Sequence, residues 1–338
     1  MTKKECVKAA ISHKSTGHVP YNIQLTVELS AKMGEQIRKD FPNKDVEDDL
    51  KAGILNEFQA TELCIGNFVF DSQNPCWWGW DKENFDPSYG DIYAVPENMP
   101  SVIRRDTDET VQKYLEHVKY IGDKYQTYNI LYIYGGHWEK AYETRGIEAF
   151  LADMAGEPEF AKRLMTYIAD INMEVLPKVA SCPELDAVLF GSDWGTQNDL
   201  MMSPKLWHEM VAPGEQRMYD VIKSNGKDLW IHSCGCILKL IDTIVEMGVD
   251  VLNPIQPECM DLRYIKDTWG DKLTFWGGIS TQKTLPYGTP EEVRKESARV
   301  IELLGENGGY ITCSSQNIQT DVPYENLKAL IETAKAYS

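Results

Sequence analysis

The chain has 338 residues, a length that suits one large α/β domain as well as two average ones. Its formal net charge of −18 would repel nucleic acid or an anionic membrane surface, so neither is expected as a partner. Its first residues hold no continuous apolar run and no membrane-length apolar stretch follows, so we expect a cytoplasmic protein whose eight cysteines are reduced thiols or metal ligands.

The chain divides into a less regular part, residues 1–125, and a regular part, residues 126–338. In the first part the hydrophobic pattern predicts an N-terminal helical extension and the first units of a sheet. Its predicted elements are helices near 3–13, 27–41 and 45–57, a strand at 62–70, and a segment rich in Pro, Trp and Asp at 71–105. We expect that last segment to be a long loop over the mouth of the folded domain.

Residues 126–338 alternate short β-rich runs with longer amphipathic segments. The predicted strands are NILYIY, AVLF, DLWIH, VDVLNP, LTFWGG and GYITC. Helix starts are marked by Ser-Pro at 203–204 and by Thr-Pro at 289–290. Such alternation implies parallel strands with right-handed crossovers, and the number of units favours a closed ring. We therefore predict a single (β/α)8 TIM-barrel domain over residues 1–338.

The stretch DLWIHSC places a histidine and a cysteine at strand spacing. Residues two apart in a strand share a face, so His232 and Cys234 point the same way as Trp230, into the barrel if Ile231 faces the helices. The last predicted strand ends at Cys313, and the ends of barrel strands converge around one mouth. We expect Cys313 to join His232 and Cys234 there.

A set of one histidine and two cysteines suggests a catalytic zinc site. It fills three tetrahedral positions of Zn²⁺ and leaves one for substrate. Two thiolates keep a further bound sulfur electron-rich while its pKa is lowered, which suits methyl transfer. The plainer alternative makes Cys234 and Cys313 core residues and His232 a hydrogen-bonded core histidine. Cys236 is a rival ligand, but Gly235 interrupts the strand before it.

Several longer motifs carry a family resemblance, strongest from about residue 145 to the end. They are GSDWGTQNDLMMSP, HSCG, GVDVLNPIQP, GDKLTFWGGISTQKTLPYGTPEEV and GGYITCSSQNIQTDVPYEN. With them the chain resembles the uroporphyrinogen decarboxylase superfamily and, within it, the cobamide-dependent methyltransferases. The resemblance implies a (β/α)8 barrel and zinc bound through H-x-C and a distant Cys, here His232, Cys234 and Cys313.

The decarboxylase branch of that superfamily has an arginine-rich N-terminal motif that grips the carboxylates of its tetrapyrrole. The equivalent region here reads HVPYNIQLTVELSAKMG and contains no arginine. A buried polycarboxylate without cationic partners is strongly disfavoured, so decarboxylation becomes the alternative to methyl transfer.

Polar residues after two predicted strands are further candidates for the mouth. Asp193 and Gln197 follow AVLF, and the resemblance also implies active-site polar groups there. Asp193 would orient a zinc ligand or take a proton, although it would equally serve as a loop cap before the next helix. Gln197 is expected to contact substrate, and Gln256 and Asn253, which follow VDVL, are similar but weaker candidates.

Aromatic residues and one histidine complete the candidates. NPCWWGW groups Trp77, Trp78 and Trp80 in the segment expected over the mouth, where Trp78 would contact a flat substrate or a corrin face. Such rings more often pack a long loop. His137 follows a strand and would act as a proton carrier or substrate contact, although a lone loop histidine is usually incidental.

The expected function is zinc-dependent methyl transfer between a small substrate and a corrinoid. Nothing in the chain resembles a cobalamin-binding domain, so the corrinoid is expected on a partner protein. The tryptophan cluster favours an aromatic methyl ether as methyl donor, whereas the two-thiolate zinc favours a thiol acceptor. A metal-free decarboxylase is the alternative, and a non-catalytic barrel that binds small molecules is a third hypothesis.

Overall fold

The protein is described from a computed structural model. The described residues are 1–42, 126–133 and 136–338, the short pieces 65–68, 78–79 and 103–104, and single helical positions between 112 and 123. The helix predicted at 45–57 and most of the segment 71–105 lie outside the described residues.

Parallel strands form the centre of the fold. The described strands are β1 Ile65–Phe68, β2 Trp78–Gly79, β3 Ile103–Arg104, β4 Tyr128–Ile133, β5 Ala187–Gly191, β6 Asp228–His232, β7 Val251–Ile255, β8 Thr274–Ile279 and β9 Tyr310–Ser314. Seven of them form one sheet in the order β1-β4-β5-β6-β7-β8-β9, with every pair parallel. Strands β2 and β3 form a separate antiparallel pair.

Segment 20–25 extends this sheet beyond β9. Tyr21 pairs with Thr312 and Leu25 with Ile318, both in parallel. The segment and the seven strands make eight parallel members, which confirms the parallel α/β architecture. Among the described residues no pairing joins segment 20–25 to β1, so closure of the ring remains a prediction.

Helices connect successive strands and cover the outer face of the sheet. The described helices are α1 Lys3–Ile11, α2 Val27–Asp40, α3 Gly136–Arg145, α4 Ile147–Gly156, α5 Pro158–Ala180, α6 Pro204–Met210, α7 Ala212–Ser224, α8 Ile241–Glu246, α9 Leu262–Trp269, α10 Thr284–Tyr287, α11 Pro290–Gly305 and α12 Tyr324–Ala336. None of these described helices is long and apolar enough to cross a membrane.

Side-chain caps set the predicted helix starts. The Ser203 hydroxyl accepts a hydrogen bond from the backbone N–H of Leu206, and Thr289 forms a reciprocal capping box with Glu292. The amphipathic segment 203–224 forms two helices instead of one continuous helix. Pro213 stands in the first turn of the second helix, where its missing N–H leaves no hydrogen bond unmade.

Two hydrophobic clusters show which way the strand residues point. Ile231 belongs to the large cluster between sheet and helices, whereas Trp230, Trp276 and Cys313 belong to a smaller cluster on the inner face. The predicted orientation of DLWIH is therefore confirmed. The site described below lies at the carboxyl end of this inner face.

Helix α1 covers the opposite, amino end of the inner face. Cys6, Val7 and Ala10 pack into the inner cluster. The helix is fastened there because Lys4 N donates to the carbonyl of Gln126 before β4, and the carbonyl of Ala10 accepts from Gly309 N before β9. The predicted N-terminal helix thus closes one end of the inner core.

Candidate metal centre and adjoining cavity

Three potential metal ligands meet at the carboxyl ends of β5 and β6. Asp193, His232 and Cys234 each offer one ligand atom, and these atoms all lie within 4.8 Å of one another. The Cys234 Sγ lies 3.4 Å from His232 Nε2, and an Asp193 carboxylate oxygen lies 3.8 Å from the same nitrogen. The sequence prediction that His232 and Cys234 lie together is confirmed.

Asn253 on β7 orients the His232 ring. Its Nδ2 donates to the carbonyl of Trp276 at 3.0 Å, so its Oδ1 faces His232 Nδ1 at 2.5 Å. An amide oxygen only accepts, which places the ring proton on Nδ1 and the lone pair on Nε2. The nitrogen facing Cys234 and Asp193 is therefore the one free to bind a metal.

Asp193 is held by three contacts with backbone or neighbouring groups. Its Oδ1 accepts from Cys234 N at 2.7 Å, its own N–H donates to Glu139 at 2.7 Å, and its carbonyl accepts from the indole of Trp138 at 2.9 Å. The carboxylate thus binds the turn carrying Cys234 rather than capping a helix. This contact fixes Asp193 and Cys234 relative to each other.

The cluster has a negative electrostatic environment. Burial raises the pKa of the Cys234 thiol well above its usual range, and the nearby charges of Asp193 and Glu139 raise it further. A group of one thiol, one carboxylate and one neutral imidazole nitrogen is the donor set that a divalent transition metal prefers. Such an ion would neutralise the carboxylate charge and deprotonate the thiol. The residues present therefore fit zinc.

Cys313 lies on the inner face of β9 but outside this group of three. It is paired across the sheet with Gly278 and is only 2% exposed. Burial raises the pKa of its thiol to about 12. Of the predicted trio, the structure groups His232 and Cys234 and adds Asp193, while the ligand role of Cys313 stays a prediction.

A cavity of about 300 Å³ opens beside Cys234. Six amide side chains and four other residues line it, in loops that follow β5 to β9; the residues are Gln197, Cys234, Gln256, Thr281, Gln282, Ser315, Gln316, Asn317, Gln319 and Asp321. Gln197 accepts from Gln256 at 3.2 Å and from Gln282 at 3.4 Å. The predicted substrate contacts Gln197 and Gln256 therefore share a cavity with the candidate ligand Cys234.

Four of the amides were not predicted from the sequence: Gln282, Gln316, Asn317 and Gln319. Gln316 Nε2 lies 3.3 Å from the sulfur of Cys234, where it donates to sulfur. The motifs STQK and SSQNIQ that contain these residues follow β8 and β9 directly. Both motifs follow predicted strands, and this position could have marked their amides as candidates from the sequence alone.

Of the other predicted site residues, His137 is not among the residues that line the cavity. His137 is fully buried, with Nε2 3.1 Å from the carbonyl of Val211 and Nδ1 3.3 Å from Glu215. This placement supports helix packing and not the predicted substrate contact. Trp78 lies in the short strand β2, and its side chain is outside the described residues, as are Trp77 and Trp80.

Comparisons with known proteins agree on one family. A family model described as uroporphyrinogen decarboxylase (URO-D) matches residues 91–337. A methylated-thiol–coenzyme M methyltransferase of Methanosarcina mazei is 22% identical over 266 residues, covering 77% of this chain and 68% of that protein. The uroporphyrinogen decarboxylase of Chlorobium phaeobacteroides is 25% identical over 193 residues, covering 55% of this chain and 51% of that enzyme.

A solved structure shows the same fold over the whole chain. A methyltransferase from Methanosarcina mazei aligns with 100% of this chain and 99% of its own, with a TM-score of 0.64 and 15% sequence identity. By contrast, the chain spans about half the length of the decarboxylase relatives that it matches. The chain thus shares its fold with this methyltransferase, and its sequence is similar to enzymes of both types.

Proposed function

The chain belongs to the uroporphyrinogen decarboxylase family, and we propose that it is a zinc-dependent methyltransferase that moves a methyl group between a corrinoid on a partner protein and a small substrate. One observation carries the proposal: a cluster of His232, Cys234 and Asp193 lies beside a cavity lined with amides. The similarity to a methylated-thiol–coenzyme M methyltransferase supports the same branch.

His232 and Cys234 would hold the zinc ion, with Cys313 as the third ligand. Asp193, whose carboxylate lies within 4.8 Å of both ligand atoms, would serve as a further ligand or as a proton acceptor. When bound, zinc supplies a positive charge that keeps a substrate sulfur deprotonated or polarises a methylated substrate. A corrinoid carried by a partner protein would supply or receive the methyl group.

Side chains around the cluster would orient the zinc ligands and the substrate. Asn253 fixes the His232 ring through Nδ1, and Gln316 donates a hydrogen bond to the sulfur of Cys234. A hydrogen bond to a ligating sulfur lowers its electron density and steadies its position. The amides of Gln197 and Gln256 lie across the cavity, where they would hold a small substrate against the cluster.

The cavity supports methyl transfer over decarboxylation of a tetrapyrrole. Among its described lining residues there is no lysine or arginine, and the region 18–34 contains no arginine. Several substrate carboxylates would therefore meet no cationic partner there. A thiol acceptor or a methylated donor, such as an aromatic methyl ether, fits this amide-rich lining better than a polycarboxylate does.

We also propose that the sheet closes into a (β/α)8 barrel through a pairing of segment 20–25 with β1. The support is the order of the eight parallel members, which ends with these two segments. Closure would gather the carboxyl ends of all strands around the cluster.

The test is methyl transfer followed through the cobalt spectrum. Zinc-loaded protein is incubated with a methylated corrinoid protein and candidate thiols, and separately with a reduced corrinoid protein and aromatic methyl ethers. We expect the cobalt spectrum to change in one of these directions with wild type and to stay unchanged with Cys234→Ser. A metal-free wild type that decarboxylates a porphyrinogen, with His232→Ala and Cys234→Ser fully active, would contradict the proposal.

A further inference from the structure

We propose that Asn22 is a substrate-binding residue whose side-chain oxygen accepts a hydrogen bond from an O–H or N–H group of an uncharged small substrate. The inference rests on the proposed function, because it names the substrate class of the same site. Two observations support it: Asn22 lies on the inner face of the sheet, and its buried side-chain oxygen accepts no hydrogen bond from any described residue.

The backbone pairing with β9 places Asn22 on the inner face. Asn22 N donates to the carbonyl of Thr312 at 2.9 Å, and Thr312 N donates to the carbonyl of Pro20 at 2.8 Å, which is a regular parallel ladder. Tyr21 and Ile23 pack in the outer cluster, so Asn22 between them points inward. On β9 the inward residue next to this pairing is Cys313.

The same segment continues along the loop that lines the cavity. Ile318 N donates to the carbonyl of Gln24 at 2.9 Å, and Thr26 N donates to the carbonyl of Ile318 at 2.9 Å. The neighbours of Ile318 in sequence, Asn317 and Gln319, both line the cavity. Asn22 therefore lies in a segment that pairs both with β9, next to Cys313, and with the loop that lines the cavity.

The side-chain oxygen of Asn22 is a buried acceptor. Asn22 is 4% exposed, and none of the described residues donates a hydrogen bond to its Oδ1. A buried polar atom left unpaired costs about 1–3 kcal/mol. Such a cost is expected where an acceptor serves a ligand that is bound only part of the time.

The surrounding chemistry indicates what kind of ligand would supply the donor. The described cavity lining has six amides and one carboxylate, Asp321, and among the described lining residues there is no cationic side chain. Amides hydrogen-bond neutral donors and acceptors equally, while the negative charges of Asp193, Glu139 and Asp321 disfavour an anion. An uncharged molecule with a hydroxyl or amide group fits these walls.

The first test measures stability and needs neither zinc nor methyl transfer. Asn22→Leu removes a buried oxygen that accepts no hydrogen bond from the described residues and puts an apolar side chain of similar size in its place, so we expect a melting temperature that is unchanged or higher by about 1–3 °C. Asn326→Leu is the matched control, because Asn326 is equally buried but donates to the carbonyls of Leu285 and Gly288. We expect Asn326→Leu to have a lower melting temperature than wild type. A loss of stability in Asn22→Leu as large as in the control would overturn the inference.

The second test measures recognition with matched thiols. Co²⁺-substituted wild type and Asn22→Leu are titrated with 2-mercaptoethanol, propane-1-thiol and 2-mercaptoethanesulfonate, and the thiolate-to-cobalt absorption gives each dissociation constant. We expect the ratio of the constants for 2-mercaptoethanol and propane-1-thiol to shift about tenfold toward propane-1-thiol in Asn22→Leu. In wild type the sulfonate should bind more weakly than 2-mercaptoethanol.

The outcomes separate this inference from the proposed function. An unchanged ratio in Asn22→Leu, or a loss of bound metal in that variant, would overturn the role of Asn22 as a substrate contact. If no thiol gives an absorption band with either protein, thiol binding in the proposed function fails. The role of Asn22 is then decided by the stability comparison with Asn326→Leu.

Discussion

The imidazole of His232 takes its orientation from a single amide. Asn253 accepts at Nδ1 and is itself held by the carbonyl of Trp276 on the next strand. The histidine and Cys234 were recognisable from the sequence because strand parity brings residues two apart to one face. Asn253 was a weak candidate, since a sequence does not show which neighbouring strand supplies a ring's partner. Cys313 remains a predicted ligand, because it lies outside the group of three side chains that the structure brings within 4.8 Å of one another.

Removing this amide should weaken metal binding without removing a ligand. In Asn253→Ala the ring loses the acceptor that fixes its tautomer, and we expect zinc affinity to fall about 10–100-fold. Competition with a chromophoric chelator measures the change. Asn253→Asp, which keeps an acceptor at Nδ1, should retain more affinity than the alanine variant. Equal affinity in wild type and Asn253→Ala would refute the orienting role.

The buried thiols should make the metal-free protein sensitive to alkaline pH. The pKa of Cys313 is raised to about 12 and that of Cys234 is also raised, whereas a thiol in the unfolded chain has a pKa of about 8.5. The folded state thus holds these protons more tightly. Their contribution is complete below about pH 8.5 and is lost as the pH rises toward the folded-state pKa values.

Urea unfolding of chelator-treated protein between about pH 8 and pH 11 measures this loss. Each thiol contributes up to about 1.4 kcal/mol per pH unit, so the decline in unfolding free energy should be shallower in Cys234→Ser. Buried tyrosines add a common background to both proteins. An identical decline in both would show that Cys234 titrates normally in the folded state.

The elements of the regular half follow their sequence signals closely. The predicted strand DLWIH is β6 residue for residue, and the Ser-Pro and Thr-Pro pairs begin α6 and α11. These boundaries were predictable because caps and strand ends are local features. The break at Val211 was not predicted, since an amphipathic pattern runs through both helices. The paired amides of the cavity come from separate loops, and only the folded sheet brings them together.

The capping box of α11 offers a test at the scale of one element. Thr289 accepts from Glu292 N at 3.3 Å, and Glu292 accepts from Thr289 N at 2.7 Å. We expect Thr289→Ala to lower the free energy of unfolding by about 1 kcal/mol, because the backbone N–H of Glu292 loses the hydroxyl that accepts its hydrogen bond at the start of the helix. Thr289→Ser keeps the hydroxyl and should lose only a small part of that. Chemical denaturation compares the three proteins, and equal stability in all would mean that the box contributes nothing.

The two ends of the seven-stranded sheet differ in what covers them. The carboxyl end carries the cluster and the cavity, while α1 covers the amino end. Lys4 and Lys8 of α1 lie 2.8 Å and 3.2 Å from a carboxylate oxygen of Asp186, and the other oxygen of Asp186 accepts from Asn129 N. In (β/α)8 barrels, which have the same parallel strand arrangement, the amino end serves stability and the carboxyl end serves chemistry.

A change at the amino end should therefore affect stability alone. Asp186→Ala removes a buried acceptor from Asn129 N and leaves Lys4 without its carboxylate, so we expect a loss of about 1–3 kcal/mol. Thermal or urea unfolding measures it. Zinc content of the folded variant should equal that of wild type, and a fall in zinc content would show that the two ends are coupled.

Elemental analysis of purified protein tests whether His232, Cys234 and Cys313 hold a zinc ion. Wild type, His232→Ala, Cys234→Ser, Cys313→Ser and the control Cys236→Ser are prepared in zinc-containing medium, and bound metal per chain is determined by elemental analysis. We expect stoichiometric zinc in wild type and Cys236→Ser, and loss of zinc in the other three variants. Wild type without zinc, or zinc retained in both His232→Ala and Cys234→Ser, would contradict it.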